Sequence, residues 1–369
     1  MTHVPRRRLL GFAVALAAVT TGVLTTGCAP EPVAAAPASS ATQTPTPSPT
    51  PTPLSPVEQL LASAPDPAAA CVVSFTGDGI ADAPVLETTG ALYAALPIPA
   101  RDGFVFAGWY DTPADAAAFA VPGRVNGADL VACTDRQRTL HAAWKTPAEN
   151  TAEGARLPIL MYHQFTDKPE GESGWLRGNY AYIEDYRAHM QHIKDGGFYL
   201  PTWLELDAFI DGRLFLPDHS VIVTDDDADP TWLSMAAPIN EQLQVLATSF
   251  DITGDGVATQ NAFILPRSHT HAMHVAGANG KGQMVNLSPD EIAADLETSA
   301  AALGGVKEVV AYPYGHYDDR TKQGVAQAGF LLGRTIEQGY VSIGHDKLAL
   351  PCVRINYGMT VADLQKLIG

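Results

Sequence analysis

Cysteine is scarce, at 4 residues in 369. A scaffold held together by many disulfides is therefore excluded. Positive charge is also thin: 23 Lys and Arg stand against 40 Asp and Glu, for a formal net charge of −17. That balance argues against nucleic acid as a partner, because phosphate binding needs a basic footprint. Beyond the N-terminus no uncharged apolar run is long enough to cross a bilayer, which excludes a multi-span membrane protein. Charged residues reach only 17%, whereas hydrophobic residues make up 46%. Most of the chain can bury a core, and its length suits two ordinary domains plus tails.

The N-terminus reads as an address. Arg6, Arg7 and Arg8 precede an uncharged run from Leu9 to Leu24, too short to span and suited to a signal peptide over residues 1–27. Arg6-Arg7-Arg8-Leu9-Leu10 fits a twin-arginine export pattern as well as a plain basic start. Thr25-Thr26-Gly27-Cys28 resembles a bacterial lipobox, with Thr25 in place of the usual Leu. Lipidation of Cys28 would anchor the chain outside the cytoplasm; plain secretion is the alternative. Residues 28–57 are mostly Ala, Pro, Thr and Ser, and Thr44–Pro53 alternates proline strictly. Such a linker stays extended and reaches about 80–90 Å where it is polyproline II.

From Cys71 to Lys145 short strands and turns follow one another. Cys71–Phe75, Phe104–Phe106, Gly108–Tyr110 and Thr139–Trp144 read as strands. Residues 71–145 resemble one internalin-B-type (Listeria–Bacteroides) repeat, carried by Gly103–Asp111 and Leu140-x-Ala-x-Trp144. The resemblance implies a small β-grasp-like module that acts as a spacer or weak adhesive. Outside the cytoplasm a disulfide between Cys71 and Cys133 is expected. A polar linker, about Lys145–Arg156, separates this module from residues 157–369.

In residues 157–369 strand-like and helix-like segments alternate, which points to an α/β architecture with a mostly parallel sheet or barrel. Leu157–Met161, Val221–Val223 and Val309–Ala311 read as strands. Tyr186, Met190 and Ile193 mark a helix face stopped by Gly196-Gly197, and His189 and His192 fall on its exposed side. Ser288-Pro289-Asp290-Glu291 is a capping box.

Three strand ends carry chemistry. Asp225, Asp226, Asp227 and Asp229 come right after Val221–Val223 and Thr224, and so many carboxylates need a cation or shifted pKa values. Ser268–His274 contains His269, His271 and His274, three of eleven histidines. Imidazoles with a carboxylate suit Zn²⁺ and leave coordination positions open for catalysis. His271 and His274, three apart, are a competing pair on a helical turn. Ala311–His316 is the third strand end, and Tyr162 and His163 line the same region. Asp251-x-Thr253-x-Asp255-Gly256 hints at a calcium loop, but Ala262 stands where an EF-hand needs Glu.

The order of these segments resembles the polysaccharide deacetylase family (carbohydrate esterase family 4, NodB-like). Thr224-Asp225-Asp226-Asp227-Ala228 lies on its Thr-Phe-Asp-Asp-Gly motif, Ser268–His274 on its histidine motif, Tyr312-Pro313-Tyr314-Gly315 on its third, and Pro351–Ile355 on a late Pro-x-x-Arg segment. The resemblance implies a deformed (β/α) barrel for residues 157–369. It implies Asp226 as base, Asp227, His269 and His274 as ligands of one divalent metal of the zinc type, and the Tyr314 backbone N–H as oxyanion donor. It also puts Tyr312, Pro313 and His163 at the substrate, with Arg354 beside the base in place of an arginine absent at Ala311. Asp225 and Ala228 depart from the motif's Phe and Gly. The function implied is removal of N-acetyl groups from an envelope or extracellular polysaccharide by a lipid-anchored monomer. The alternative is a barrel disabled by those departures that only binds glycan.

Overall fold

The computed structural model describes residues 53–257 and 261–369. The expected signal segment, Cys28 and nearly all of the linker lie outside the described residues. Among the described residues no helix is long and apolar enough to cross a membrane. The end of the expected linker is already folded: a helix spans Pro56–Ser63. Ser55 and Glu58 form its capping box, which satisfies backbone N–H groups that would otherwise lack acceptors.

Four strands follow, β1 (Ala70–Thr76), β2 (Val85–Thr88), β3 (Val105–Tyr110) and β4 (Gln137–Lys145). They form a mixed sheet in the order β2-β1-β4-β3, with β1 and β4 parallel. The two short segments expected at 104–106 and 108–110 are one strand with a register shift between Phe106 and Trp109. Gly108 allows the shift, because its φ is 107° and a Cβ there would strike the Arg124 guanidinium. A disulfide joins Cys71 to Cys133, 62 residues apart in sequence.

This β module does not hang from a free linker. Residues expected to be linker contain a helix, Pro147–Glu153, capped by Thr146 with Glu149 and ended by Gly154 in the left-handed conformation. Its polar composition concealed the capping box. The Phe106 N–H donates to the Arg213 carbonyl at 3.1 Å, and the Phe106 carbonyl accepts from Phe215 N–H at 2.8 Å. The Tyr199 hydroxyl donates to the Val125 carbonyl at 3.1 Å. Phe106, Trp109 and Leu140 share one buried apolar cluster with Leu157, Tyr199 and Trp203. Arg124 is buried at the seam, 4.3 Å over the Tyr199 ring and 3.9 Å from Glu205. Residues 53–369 therefore pack as one unit.

The second half contains β5 (Ile159–Tyr162), β6 (Gln164–Thr166), β7 (Tyr180–Tyr182), β8 (Ile222–Asp226), β9 (Ala247–Asp251), β10 (Ile264–Ser268), β11 (Val309–Ala311), β12 (Leu332–Gln338) and β13 (Leu350–Arg354). β6 and β7 pair apart from the rest. The others close a parallel barrel in the order β10-β11-β12-β13-β5-β8-β9. Closure is thinnest at β10–β11, where one pair, Ser268 with Val310, joins the strands. Ile159, Met161, Ile222, Phe250, Leu332 and Leu350 fill the barrel, while Leu160, Tyr162, Val223, Ala247 and Val353 lie in the layer under the helices.

The Ser288 box opens the helix Pro289–Ala302 as the sequence indicates. The helix Ile183–Asp195 buries Tyr186, Met190 and Ile193. It also buries His189, which was expected on the exposed side. The Tyr162 hydroxyl lies 3.0 Å from His189 Nδ1, so both side chains belong to the core and Tyr162 does not line the site. Parallel strands end together, so Asp225–Ala228, Ser268–His274 and Ala311–His316 share one end of the barrel.

Candidate active site

β8 alternates at its end. Ile222 and Asp226 face the barrel interior, whereas Val223 and Asp225 face the helix layer. Asp226 is buried and accepts a hydrogen bond from Arg334 of β12 on Oδ1. Its Oδ2 lies 3.8 Å from His163 Nε2. Burial alone would raise the Asp226 pKa, but Arg334, His163 and His269 together outweigh burial and hold it below the usual carboxylate range.

Asp227 turns out of the strand. Its Oδ1 lies 3.4 Å from His269 Nε2 and 3.2 Å from His274 Nε2. The ligand atoms of Asp227, His269 and His274 all lie within 4.8 Å of one another. His269 Nδ1 lies 2.9 Å from the Ala311 carbonyl. A carbonyl can only accept, so Nδ1 carries a proton and Nε2 is the nitrogen turned toward Asp227. The His274 ring packs on the Tyr314 ring at 4.6 Å. Burial pushes the Asp227 carboxyl up, but the two imidazoles outweigh it and hold it far below the usual range. Burial lowers His274, and the neighbouring His269 lowers it further.

Asp227 Oδ1 is buried and accepts no hydrogen bond. A carboxylate oxygen facing inward-directed imidazole nitrogens is uncomfortable unless a cation sits among them. One carboxylate with two imidazoles fits a zinc-type ion that keeps positions open for water. The backbone is strained to reach this arrangement. Asp227 (φ 79°), Ala228 (φ 51°), Thr270 (φ 73°) and Tyr314 (φ 58°) all adopt left-handed conformations without being glycine. Each costs roughly 1–3 kcal/mol, and such outliers gather where surrounding contacts over-determine a site. Here the Asp227 N–H donates to the Phe250 carbonyl at 3.1 Å, and the Thr270 carbonyl accepts from Thr253 at 3.0 Å.

No protein-family model matches the chain. The poly-β-1,6-N-acetyl-D-glucosamine N-deacetylase of Staphylococcus aureus (strain MRSA252) is 28% identical over 220 residues, covering 54% of this chain and 69% of the relative. Among solved structures, the Streptococcus pyogenes deacetylase PplD in complex with acetate superposes with a TM-score of 0.50 at 24% identity. It covers 58% of this chain and 99% of that one. The barrel has the polysaccharide deacetylase fold.

On that fold the expected residues separate into two groups. Asp226, Asp227, His163, His269, His274 and Tyr314 come together. His271 stays out of the triad, because its N–H is held by Asp295 at 2.7 Å and its Nδ1 lies 3.1 Å from the Thr253 hydroxyl. Tyr312 and Pro313 are buried rather than presented to substrate. The Tyr312 hydroxyl donates to the Leu348 carbonyl at 2.9 Å and its ring stacks on Tyr317.

Arg354 does not pair with the base either. At the end of β13 it reaches outward to Asn179 and, at 3.2 Å, to Asn356. The arginine on Asp226 is Arg334, which sequence reasoning missed. Its signal was present: a lone arginine inside the strand-like run Leu332–Ile336, where a charge is rarely buried without a partner. Asp225 is fully buried behind the site, with neither carboxyl oxygen hydrogen-bonded. Burial, and then the neighbouring carboxylates, push its pKa well up, and it is not among the ligand atoms that converge.

Proposed function

We propose that this protein is a metal-dependent hydrolase that removes N-acetyl groups from an extracellular polysaccharide of N-acetylglucosamine-type units. The observation that carries the reading is the convergence of Asp227, His269 and His274 beside an arginine-held Asp226. The likeness to a poly-N-acetylglucosamine deacetylase supports the substrate class.

Asp227, His269 and His274 would hold one divalent ion of the zinc type. When bound, such an ion polarises a carbonyl and brings the pKa of water from 15.7 to about 7. Asp226 is the base. Arg334 fixes Oδ1 and keeps the carboxyl ionised, which leaves Oδ2 to take the water's proton. His163, 3.8 Å from Oδ2 and kept neutral by burial, stands where that proton can pass to the departing amine. The Tyr314 backbone N–H is the oxyanion donor; losing one such donor costs roughly 2.7–4 kcal/mol. The water oxygen bonds to the acetyl carbon and the C–N bond breaks. The water's proton ends on the amine nitrogen, and acetate leaves.

The departures from the family motif do not disable this arrangement. Ala228 holds the turn that glycine would hold, and Asp225 faces away. Both points favour the enzyme over the glycan-binding alternative. We place the protein outside the cytoplasm, held by a lipid on Cys28, with residues 71–145 as an internalin-B-type repeat fixed to the barrel. The test is acetate release by the zinc-loaded full chain from β-1,6- and β-1,4-linked N-acetylglucosamine oligomers. Asp226→Asn should lower kcat by about 10²–10⁴ with metal content retained. No acetate from either oligomer would overturn the reading.

A further inference from the structure

We propose that Trp175 is a stacking platform for a sugar unit of the polysaccharide next to the one being deacetylated. The proposal rests on the deacetylase reading and extends it to the length of substrate that the site engages. Trp175 is 90% exposed, whereas the other large exposed hydrophobic side chains among the described residues reach at most 53%. An indole left in water forgoes a large hydrophobic gain, and Leu176 beside it is exposed as well, so the two form a joint apolar surface.

The ring stands on a braced turn. Trp175–Asn179 forms a short 3₁₀ turn between β6 and β7, on the barrel end that carries the metal triad. The Asn179 side-chain oxygen accepts from Arg354. Arg177 donates to the Glu170 carbonyl at 2.8 Å and lies 4.7 Å over the Tyr357 ring. The Tyr357 hydroxyl donates to the Pro169 carbonyl. Gly171, at φ 77°, lets the backbone run against that ring, since a Cβ there would lie 2.6 Å from it. The backbone under the indole is therefore held in place, which lowers the entropic cost of using it.

The path from this turn to the chemistry is short. Arg354 ends β13 in register with Met161 of β5, two residues before His163, and His163 lies 3.8 Å from Asp226. A 3₁₀ turn rises about 2 Å per residue, so Trp175 lies about 8 Å beyond Asn179 along the turn. A pyranose presents an apolar C–H face and a polar edge. The indole suits the face, and Arg354 and Asn356 suit the edge. A membrane surface would also take an exposed indole. However, Asp167, Glu170 and Glu172 crowd this segment against Lys168 and Arg177, whereas surface-seeking segments are rich in Lys and Arg.

The test uses the zinc-loaded full chain with an N-acetylglucosamine monomer and a β-1,6-linked pentamer. Trp175→Ala should lower the pentamer-to-monomer ratio of kcat/KM about tenfold, and Trp175→Phe should restore most of it. An unaltered ratio in Trp175→Ala would overturn the proposal. Calorimetric binding of the pentamer in an Asp226→Asn background separates the two readings. A tenfold weaker Kd on adding Trp175→Ala supports the platform even where no acetate is released. Loss of binding to phosphatidylglycerol vesicles in a Cys28→Ser chain carrying Trp175→Ala, with pentamer affinity intact, would assign the indole to the membrane and overturn it.

Discussion

Replacing Arg334 with methionine should destabilise the protein by about 3–5 kcal/mol, because it strands the Asp226 carboxylate inside the barrel. The exposure of the two side chains is 0% and 4%. Arg334 also donates to the Thr335 carbonyl at 3.0 Å and lies 5.1 Å from the Phe250 ring, so methionine replaces its volume but neither its charge nor its donors. Asp226→Asn alone strands the guanidinium in the same way. Arg334→Met with Asp226→Asn removes both charges and should fall close to the parent, giving a coupling energy of about 3 kcal/mol or more. The assay is urea unfolding of the four proteins under chelator, so that bound metal does not add to stability. Arg334→Lys should retain part of kcat because it keeps a charge on Asp226, although it loses the guanidinium fork. Additive single variants, or an Arg334→Met cost under about 1 kcal/mol, would refute the idea that the base is held by a buried pair.

Two further outcomes follow from packing. Cys71→Ser with Cys133→Ser should cost about 4 kcal/mol, the loop-entropy value for a 62-residue closure, read by urea midpoint. A loss under about 1 kcal/mol would mean that the unfolded chain already restrains this loop without the bond. Asp225→Leu should raise stability by about 1–3 kcal/mol, because it removes a buried carboxyl with no hydrogen-bond partner. A drop in the urea midpoint would show that the carboxyl is satisfied and would contradict its placement.

The barrel and triad were legible because their signals are local. A carboxylate run at the end of an apolar strand, and spaced histidines further along the chain, name a cluster without any knowledge of distant contacts. Arg334 was not legible as the partner of Asp226, because the two are 108 residues apart and meet only through the order β12-β13-β5-β8. Tyr312 and Tyr162 read as site residues from their motif neighbours. Strand alternation instead turned both side chains into the layer under the helices, where their hydroxyls find a carbonyl and a histidine. Residues 145–156 read as linker because composition outweighed a capping box that was present in Thr146-Pro147-Ala148-Glu149. The seam between module and barrel rests on backbone hydrogen bonds of Phe106 and on the buried Arg124, and neither has a sequence signature.

The central claim is that Asp227, His269 and His274 form a metal site built for hydrolysis. Its most direct test is the metal content of the purified full chain after incubation with zinc and removal of free ion, compared with His269→Ala/His274→Ala. About one ion per chain, lost in the double variant while the fold is kept by circular dichroism, is the result this account predicts. An intact chain that retains no metal would contradict it.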